Sequence, residues 1–414
     1  MVKRRNEMDE LPNVPDLEIP DLELEDYKEP DNTEQCVEDA SGGSHVFAWI
    51  GSGQGGGRIA KAFYDRGYKK CIAINTSRQD LDRLDIPMAQ KMLLDIGEEG
   101  AGKDMERGAA ATLKYKQEIF DLMRKTYGTK VDHIMVCIGA GGGSGSGSSL
   151  VLIDIAKKYM KFIGHDKPEE RVGVVMSLPT RGEAASPKVS LNAYRVLKQV
   201  GGQAERKEIS PLVIIDNSKI EKMYKNLTVK EFWNTINNTV SGLFHIFNVL
   251  SKHASPYTSF DPTDYATVLR CGGTMVMGVS KLDPIKSDGD NKQPSHETKI
   301  SGAIKSNMDK TLLAEIDISD ATYAACCAVG GKEIMENTPG LMDSLSYGFD
   351  TLSSLCPKAT LHRGIYEDEK PTLRLYTLIS GLNIPKNRLE QFATNIRKEE
   401  LEGFNSKDPF KDKQ

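Results

Sequence analysis

Two stretches, Val46-Phe-Ala-Trp-Ile-Gly51-Ser-Gly-Gln-Gly-Gly-Gly57 and His133-Ile-Met-Val-Cys-Ile-Gly139-Ala-Gly-Gly-Gly-Ser-Gly-Ser-Gly147, each run an apolar segment directly into glycine. Each is followed by a helical pattern, so each reads as strand, glycine loop, helix. Glycines let the backbone approach a ligand closely and present amide protons at a helix N-terminus, an arrangement suited to phosphate. The first loop by itself fits a Rossmann dinucleotide site about as well. The second strand of such a unit should end in Asp or Glu for the ribose hydroxyls, however, and here residues 71–74 lead into Asn75-Thr76, which counts against NAD. The second loop packs six glycines and two hydroxyls into nine residues, and two such loops in one sheet can wrap one polyphosphate. No Gly-x-x-x-x-Gly-Lys-Ser/Thr occurs, so charge neutralisation falls to amides, helix dipoles and a metal ion.

Further apolar runs follow at 172–176 and 212–215, separated by segments long enough for crossover helices. This alternation implies an α/β fold with a parallel, Rossmann-like sheet and helices on both faces, binding ligand at the carboxyl ends of its strands. Residues 229–253 read as one long helix, with Phe232, Trp233, Ile236, Val240, Leu243, Phe244, Phe247 and Leu250 at three-to-four spacing. Asp261-Pro-Thr-Asp264 reads as the start of another helix. Strands at 273–279, 321–329 and 373–380 indicate a second, smaller α/β domain. The expected division is an acidic tail (1–44), a nucleotide-binding domain (45–228), a central helix (229–255), the second domain (256–385) and a terminal helix and tail (386–414). Residues 283–293 read as a surface loop.

The composition of the 414 residues, 39% hydrophobic and 27% charged, excludes collagen-like and wholly disordered classes. The basic start, Met1-Val-Lys-Arg-Arg5, lacks the apolar run of a signal peptide, and no stretch approaches the roughly 18 apolar residues of a membrane span. Seven cysteines without a CxxC pair and seven scattered histidines point to reduced thiols in a cytoplasmic protein without a zinc site. Residues 1–44 carry 4 Lys/Arg against 14 Asp/Glu, net −10, leaving the body at +5. The tail reads as a solvating extension, with an arm for a basic partner, through the Asp-Leu-Glu repeats of 16–25, as the alternative. The body has no Lys/Arg stripe, so direct nucleic-acid binding is not expected.

Gly141-Gly-Gly-Ser-Gly-Ser-Gly147 resembles the tubulin signature motif of the tubulin/FtsZ superfamily, with Ser144 where Thr is usual. The likeness runs from about residue 47 to 381, its pieces in the family's order, and is nearest to FtsZ/TubZ-like prokaryotic or phage tubulin homologues. It implies a Rossmann-like GTPase domain joined by a long central helix to a smaller α/β domain. It also implies a nucleotide site: Gly53, Gln54, Gly55, Gly56 and Arg58 from the first loop, Asn75 from the second, and Gly100, Ala101 and Gly102 from the third, which faces the γ-phosphate. Gly141, Gly142, Gly143, Ser144, Gly145 and Ser146 follow from the signature loop, and Glu183 from the sugar-contacting Thr180-Arg-Gly-Glu183. Asn217 and Asn238 would hold the guanine and Trp233 would stack on it. An amide carbonyl accepts from guanine N1 and N2 and an indole face stacks well, although Asn also suits adenine and a place on the apolar stripe is the lesser alternative for Trp233. Arg58 stands where an amide side chain is usual.

Two aspartates three residues apart lie on one side of a helix's first turn, and by themselves they suit capping. Within the resemblance, Asp261 and Asp264 are catalytic: they reach the γ-phosphate of the next subunit and polarise the attacking water while Mg²⁺, carried mainly by the phosphates, offsets charge. Ser259 replaces the motif's Asn. The implied protein is a GTP-binding, GTP-hydrolysing cytoskeletal element whose cofactors are GTP/GDP and Mg²⁺ and whose main partner is itself, in head-to-tail filaments. An adaptor would engage the acidic N-terminal tail or the C-terminal tail, and the role would lie in positioning or segregating DNA or phage, or in cell division. A filament using nucleotide only as assembly glue is the alternative, and a Rossmann-type oxidoreductase a remote one.

Overall fold

The computed structural model describes residues 36–223, 228–282, 295–308 and 314–396. Ten strands form one sheet: β1 (Phe47–Ser52), β2 (Cys71–Asn75), β3 (Lys91–Leu93), β4 (His133–Gly139), β5 (Val172–Leu178), β6 (Leu212–Asp216), β7 (Thr274–Leu282), β8 (Tyr323–Gly331), β9 (Thr360–Asp368) and β10 (Leu373–Leu382). Their order is β3-β2-β1-β4-β5-β6-β7-β10-β8-β9. The ladder is parallel from β3 to β7; β10 then runs antiparallel to both β7 and β8, and β9 is parallel to β8. The strands expected in a second domain follow β6 in the hydrogen-bonded order and pack a buried cluster of their own, which includes Val276, Ala324, Leu345 and Ile379. The seam is a short ladder, Leu212 beside Thr274 and Val213 beside Met275.

Strand alternation divides the core into two faces. Ala48 and Ile50 of β1 join Ile134, Val136 and Ile138 of β4 beneath the helices Gly143–Phe162 and Pro187–Glu205. Phe47 and Trp49 face the other way, where Trp49 stacks on Phe63 at 3.5 Å between ring centres and Phe244 meets Phe47 edge-on at 4.9 Å. Phe244 belongs to the central helix Val229–Leu250, whose Ile236, Val240, Leu243, Phe247 and Leu250 complete the buried stripe. Its start is fixed by a capping box: the Glu231 amide donates to Thr228 Oγ1 and the Thr228 amide to the Glu231 carboxylate. At 22 residues the helix is about 33 Å long and spans the molecule from one end of the sheet to the other. The Phe232 side chain lies outside the described ones.

Two strands escape the sequence pattern. β3 is too short to show a period, and β9, Thr-Leu-His-Arg-Gly-Ile-Tyr-Glu-Asp, interleaves charge on both faces. The acidic segment 1–44 is also not an extension throughout. From Cys36 it is seated on the body: the Val37 amide donates to the Thr126 carbonyl, the Ala40 amide to that of Gly67 and the Ser44 amide to that of Asn248. Cys36 Sγ lies 3.7 Å from Nζ of the buried Lys70. Residues 1–35, 283–294 and 397–414, on which the tail, surface-loop and C-terminal-tail expectations mostly fall, lie outside the described residues. All seven cysteines are free thiols. Among the described residues no helix is long and apolar enough to cross a membrane.

His133, at the amino end of β4, is fully buried with Nε2 2.7 Å from the Ser210 carbonyl. Burial pushes its pKa from 6.5 down to about 3, the Ser210 contact opposing only in part. A histidine held neutral contributes stability that is fully present above its unfolded pKa and is lost as pH falls from about 6.5 toward 3, because the unfolded chain takes up the proton. Melting curves at about pH 7 and about pH 5 should show a smaller loss for His133→Gln than for the parent protein; equal losses would remove His133 as the source.

Candidate functional site

The strands β1, β2, β4, β5 and β6 all deliver their carboxyl ends to one cleft of about 390 Å³, within the ~300–1,000 Å³ usual for small-molecule sites. Its floor is made by the two glycine loops. Helix Gly53–Tyr64 begins after Ser52 and helix Gly143–Phe162 after Gly142, and neither has a side-chain cap, so their first amides point into the cleft without an internal acceptor. Gly53 has φ +67°, which turns the chain from strand into helix where a side chain would be strained. The loops are also packed backbone on backbone. A Cβ on Gly56 would lie 2.0 Å from the Cys137 carbonyl oxygen, and one on Gly147 2.1 Å from that of Met105. Two uncapped helix N-termini side by side, with no side chain above them, form a receptor for a polyanion.

Hydroxyls and amides hold the loops in register. Thr76 and Ser144 share a 2.6 Å hydrogen bond, so the hydroxyl kept at position 144 ties the signature loop to the second loop. Asn192 donates to the Lys103 carbonyl at 2.9 Å, and Arg195 pairs with Glu106 at 2.7 Å, anchoring the third loop from the helix behind it. Asn75 and Gln54 both donate to the Asp80 carboxylate, at 3.4 and 3.0 Å. After β5, Thr180 and Glu183 form a reciprocal capping box, and Glu183 lines the cleft.

The wall of the cleft beyond β6 is built from Asn217, Ile215 and one face of the central helix. Asn217 Oδ1 is buried and has no partner within the protein, an acceptor left for a ligand N–H. Trp233 lies half-buried on the wall and lines the cleft.

Most residues expected at the site line it: Gly53, Gln54, Gly55, Arg58, Asn75, Gly100 to Gly102, Gly141 to Gly145, Glu183, Asn217 and Trp233. Three do not. Asn238 is exposed and its carbonyl accepts from Arg66 Nη2 at 2.8 Å; Asn237, one helical turn after Trp233, takes the lining position because a one-residue step rotates a side chain by about 100°. Gly56 lies under the loop against Cys137, and Ser146 is turned inward, its hydroxyl donating to the Gly139 carbonyl. The sequence reasoning missed Asn237, Asp80 and Lys103 as lining residues. Periodicity from Trp233 would have found the first, and Ser77, which accepts from the Asp80 amide as its helix cap, the second.

Asp261 and Asp264 lie at the other end of the sheet. They open helix Pro262–Arg270, whose Tyr265 meets His45 edge-on at 5.5 Å just before β1 begins. The six residues of β1, about 20 Å, therefore separate them from the cleft. Each carboxylate caps the other's amide: the Asp264 amide donates to Asp261 Oδ1 at 2.8 Å and the Asp261 amide to Asp264 Oδ2 at 3.2 Å. The remaining Asp264 oxygen is 2.8 Å from Nδ1 of His362, a neighbour that no sequence signal suggested. β9 carries His362 and also holds the loop through Tyr366, whose hydroxyl accepts from the Phe260 amide at 2.8 Å. Ser259 accepts from the Ser255 amide at 2.9 Å, so the residue in place of Asn shapes the turn. Among the described residues no cluster of three metal-ligating side chains occurs.

Fold and cleft together define an α/β protein with an amide-lined cleft, suited to a phosphorylated ligand, at the carboxyl edge of a parallel sheet. Residues 46–225 match the family model described as Tubulin/FtsZ family, GTPase domain. The chain is 24% identical over 406 residues to the tubulin-like protein TubZ of Bacillus cereus, covering 90% of this chain and 87% of that one. It is 26% identical over 361 residues to the tubulin-like protein CetZ2 of Haloferax volcanii, covering 84% and 91%. Among solved structures, the GTPγS-bound protofilament of H. volcanii CetZ2 superposes with a TM-score of 0.69 at 21% identity, over 87% of this chain and 99% of that one. The GTPγS-form protofilament of Bacillus thuringiensis serovar israelensis TubZ gives 0.69 at 17% identity, over 88% and 93%. The fold is that of tubulin and FtsZ.

Gly147→Ala tests the close packing. The added methyl must push helix Met105–Lys114 off the signature helix, at a cost of about 1–3 kcal/mol. Thermal melting should show that loss, and titration with a fluorescent guanine nucleotide at least a tenfold weaker affinity; unchanged affinity would show that the third loop need not be seated for binding.

Proposed function

We propose that this protein is a GTPase that polymerises head-to-tail, holding GTP in the carboxyl-edge cleft and hydrolysing it when the next subunit presents Asp261 and Asp264. The observation that carries this reading is the separation just described: a polyanion receptor at one end of the sheet and a pair of acidic side chains at the other, which one subunit cannot bring together. Stacking subunits along that axis joins the two, and such a heterologous contact extends without closing. That relatives with the same fold are described as GTPγS- and GDP-form protofilaments supports the reading.

In this scheme the uncapped amides of the two glycine loops bind the phosphates, and the third loop, from Gly100 to Lys103, closes over the terminal one. Asn217 accepts from the base edge and Trp233 flanks the ring. The docked loop supplies carboxylates already oriented by mutual capping and, for Asp264, by His362, and these align the attacking water. Mg²⁺ travels with the nucleotide, held by its phosphates, and offsets their charge. The filament is intracellular in this reading, with an adaptor at the acidic N-terminal segment or the C-terminal segment. A cargo-positioning or segregation role is favoured over a division role. A glue-only filament keeps one supporting observation, since both aspartates already serve as caps.

Two measurements decide. GTP turnover and light scattering are followed together against protein concentration with Mg²⁺; both should rise above one critical concentration, and turnover linear in protein without scattering would end the filament reading. Asp264→Ala should keep nucleotide affinity and assemble into long-lived filaments with turnover lowered about 10²-fold or more. Undiminished phosphate release by that variant would leave the glue-only and self-contained readings to compete.

A further inference from the structure

The last described helix, Lys386–Asn395, leaves the sheet after β10 and returns to the far end of the molecule, behind the cleft. Leu389, Phe392 and Ile396 enter the core face beside Leu191 and Ala184, and Ile384 fills the space that Gly201 leaves open. An apolar face is enough to dock a helix. Its polar contacts are what need a separate explanation, because they converge on the two loops that form the base and sugar walls.

Arg388 is the centre of this set. Its Nε lies 3.2 Å from Asp216 Oδ2 with both side chains under one-tenth exposed, and its Nη2 donates to the Pro179 carbonyl at 2.8 Å. Phe392 covers the guanidinium at 4.6 Å, and Nη1 is engaged by Gln391. Asp216 directly precedes Asn217, and its other oxygen accepts from the Ser218 amide at 3.1 Å, so its rotamer fixes the backbone that aims Asn217. Pro179 lines the cleft and directly precedes the Thr180–Glu183 capping box. At the far end of that turn, Asn395 donates to the Ala184 carbonyl at 3.1 Å. One helix therefore braces both ends of the sugar turn and the root of the base loop.

Burying a full ion pair is expensive, and a well-packed apolar pair would hold a helix as firmly. A guanidinium does something an apolar group cannot: its planar fork addresses a carboxylate and a carbonyl on different loops at once and fixes their separation. Burial raises the Asp216 pKa and lowers that of Arg388, while each opposes the other's shift, so the pair is retained against its own desolvation.

We infer that Arg388 is a positioning residue for nucleotide recognition: by holding Asp216 and the Pro179 carbonyl at a set distance, it places Asn217 against the guanine edge. This rests on the proposed GTP site and extends it to base specificity. Arg388 does not line the cleft, and the phosphate loops are built elsewhere.

The test compares GTP with ITP, which has the same phosphates and sugar but lacks the 2-amino group of guanine. If Asn217 accepts from N1 and N2, the full-length protein should bind GTP about tenfold more tightly than ITP, the size of one buried hydrogen bond. Arg388→Met should bring that ratio to near one. Loosening that is merely structural would weaken both nucleotides by the same factor and leave the ratio intact. Arg388→Lys keeps the charge beside Asp216 but not the fork, and should recover only part of the preference. Should the single variant fail to fold around an unpaired Asp216, the double variant Arg388→Met, Asp216→Asn leaves no unpaired charge and must show the same collapse. A folded single or double variant that keeps the parent's preference overturns the role of Arg388. A parent protein that binds GTP and ITP equally overturns the assignment of Asn217, and this inference with it. A parent that binds neither overturns the proposed GTP site itself.

Discussion

Backbone packed directly on backbone at the carboxyl ends of β1 and β4 is the constraint on which the rest of this structure depends. Gly56 against the Cys137 carbonyl, Gly108 against that of Gly143, and Gly147 against that of Met105 leave no room for a methyl group. These contacts place two helix N-termini side by side and bring the third loop over both. A phosphate receptor made of amides needs nothing else, and it tolerates nothing larger than hydrogen at the points of closest approach. The surrounding hydrogen bonds, from Thr76 to Ser144 and from Asn192 to Lys103, then fix loops whose spacing the glycines have already set.

The single sheet converts this local site into a polar molecule. Because β1 to β7 run in parallel, every loop at one end leaves a strand and every loop at the other enters one. The cleft and the acidic loop therefore face opposite directions, with the central helix spanning between them and its Trp233 end in the cleft wall. Strands β8, β9 and β10 extend the sheet past β7 and hold the acidic loop through Tyr366 and His362. Strands β7 to β10 are thus a platform for that loop, with a buried cluster of their own that includes Val276, Ala324 and Ile379.

The helix Lys386–Asn395 shows how packing reaches the walls of the cleft. Its apolar face repeats the ordinary logic of helix docking, while Arg388 and Asn395 reach past it to the carbonyls of Pro179, which lines the cleft, and of Ala184. Electrostatic cost is accepted there in return for geometry, a use of buried charge that is best attested where position matters more than stability.

The sequence by itself determined the class of fold, the two glycine loops, the central helix and the aspartate cap, since each is written in local signals: apolar period, glycine at a strand end, and an Asp-Pro-x-Asp helix start. It also determined most of the cleft, because loops that follow parallel strands must meet at one edge. What only the tertiary structure decided were relations between distant residues. Whether position 237 or 238 faces the ligand depended on the rotation of a helix about its axis, which a broad apolar stripe defines only to within a residue. The strand β9, charged on both faces, is a strand because β8 pairs with it. The partners of Asp264, Asp216 and Cys36 lie 98, 172 and 34 residues away in the chain, and neither periodicity nor spacing carries information across such distances. Those pairings come from the closing of the sheet and the return of the last helix, where the free energy of burial is settled by the whole chain at once.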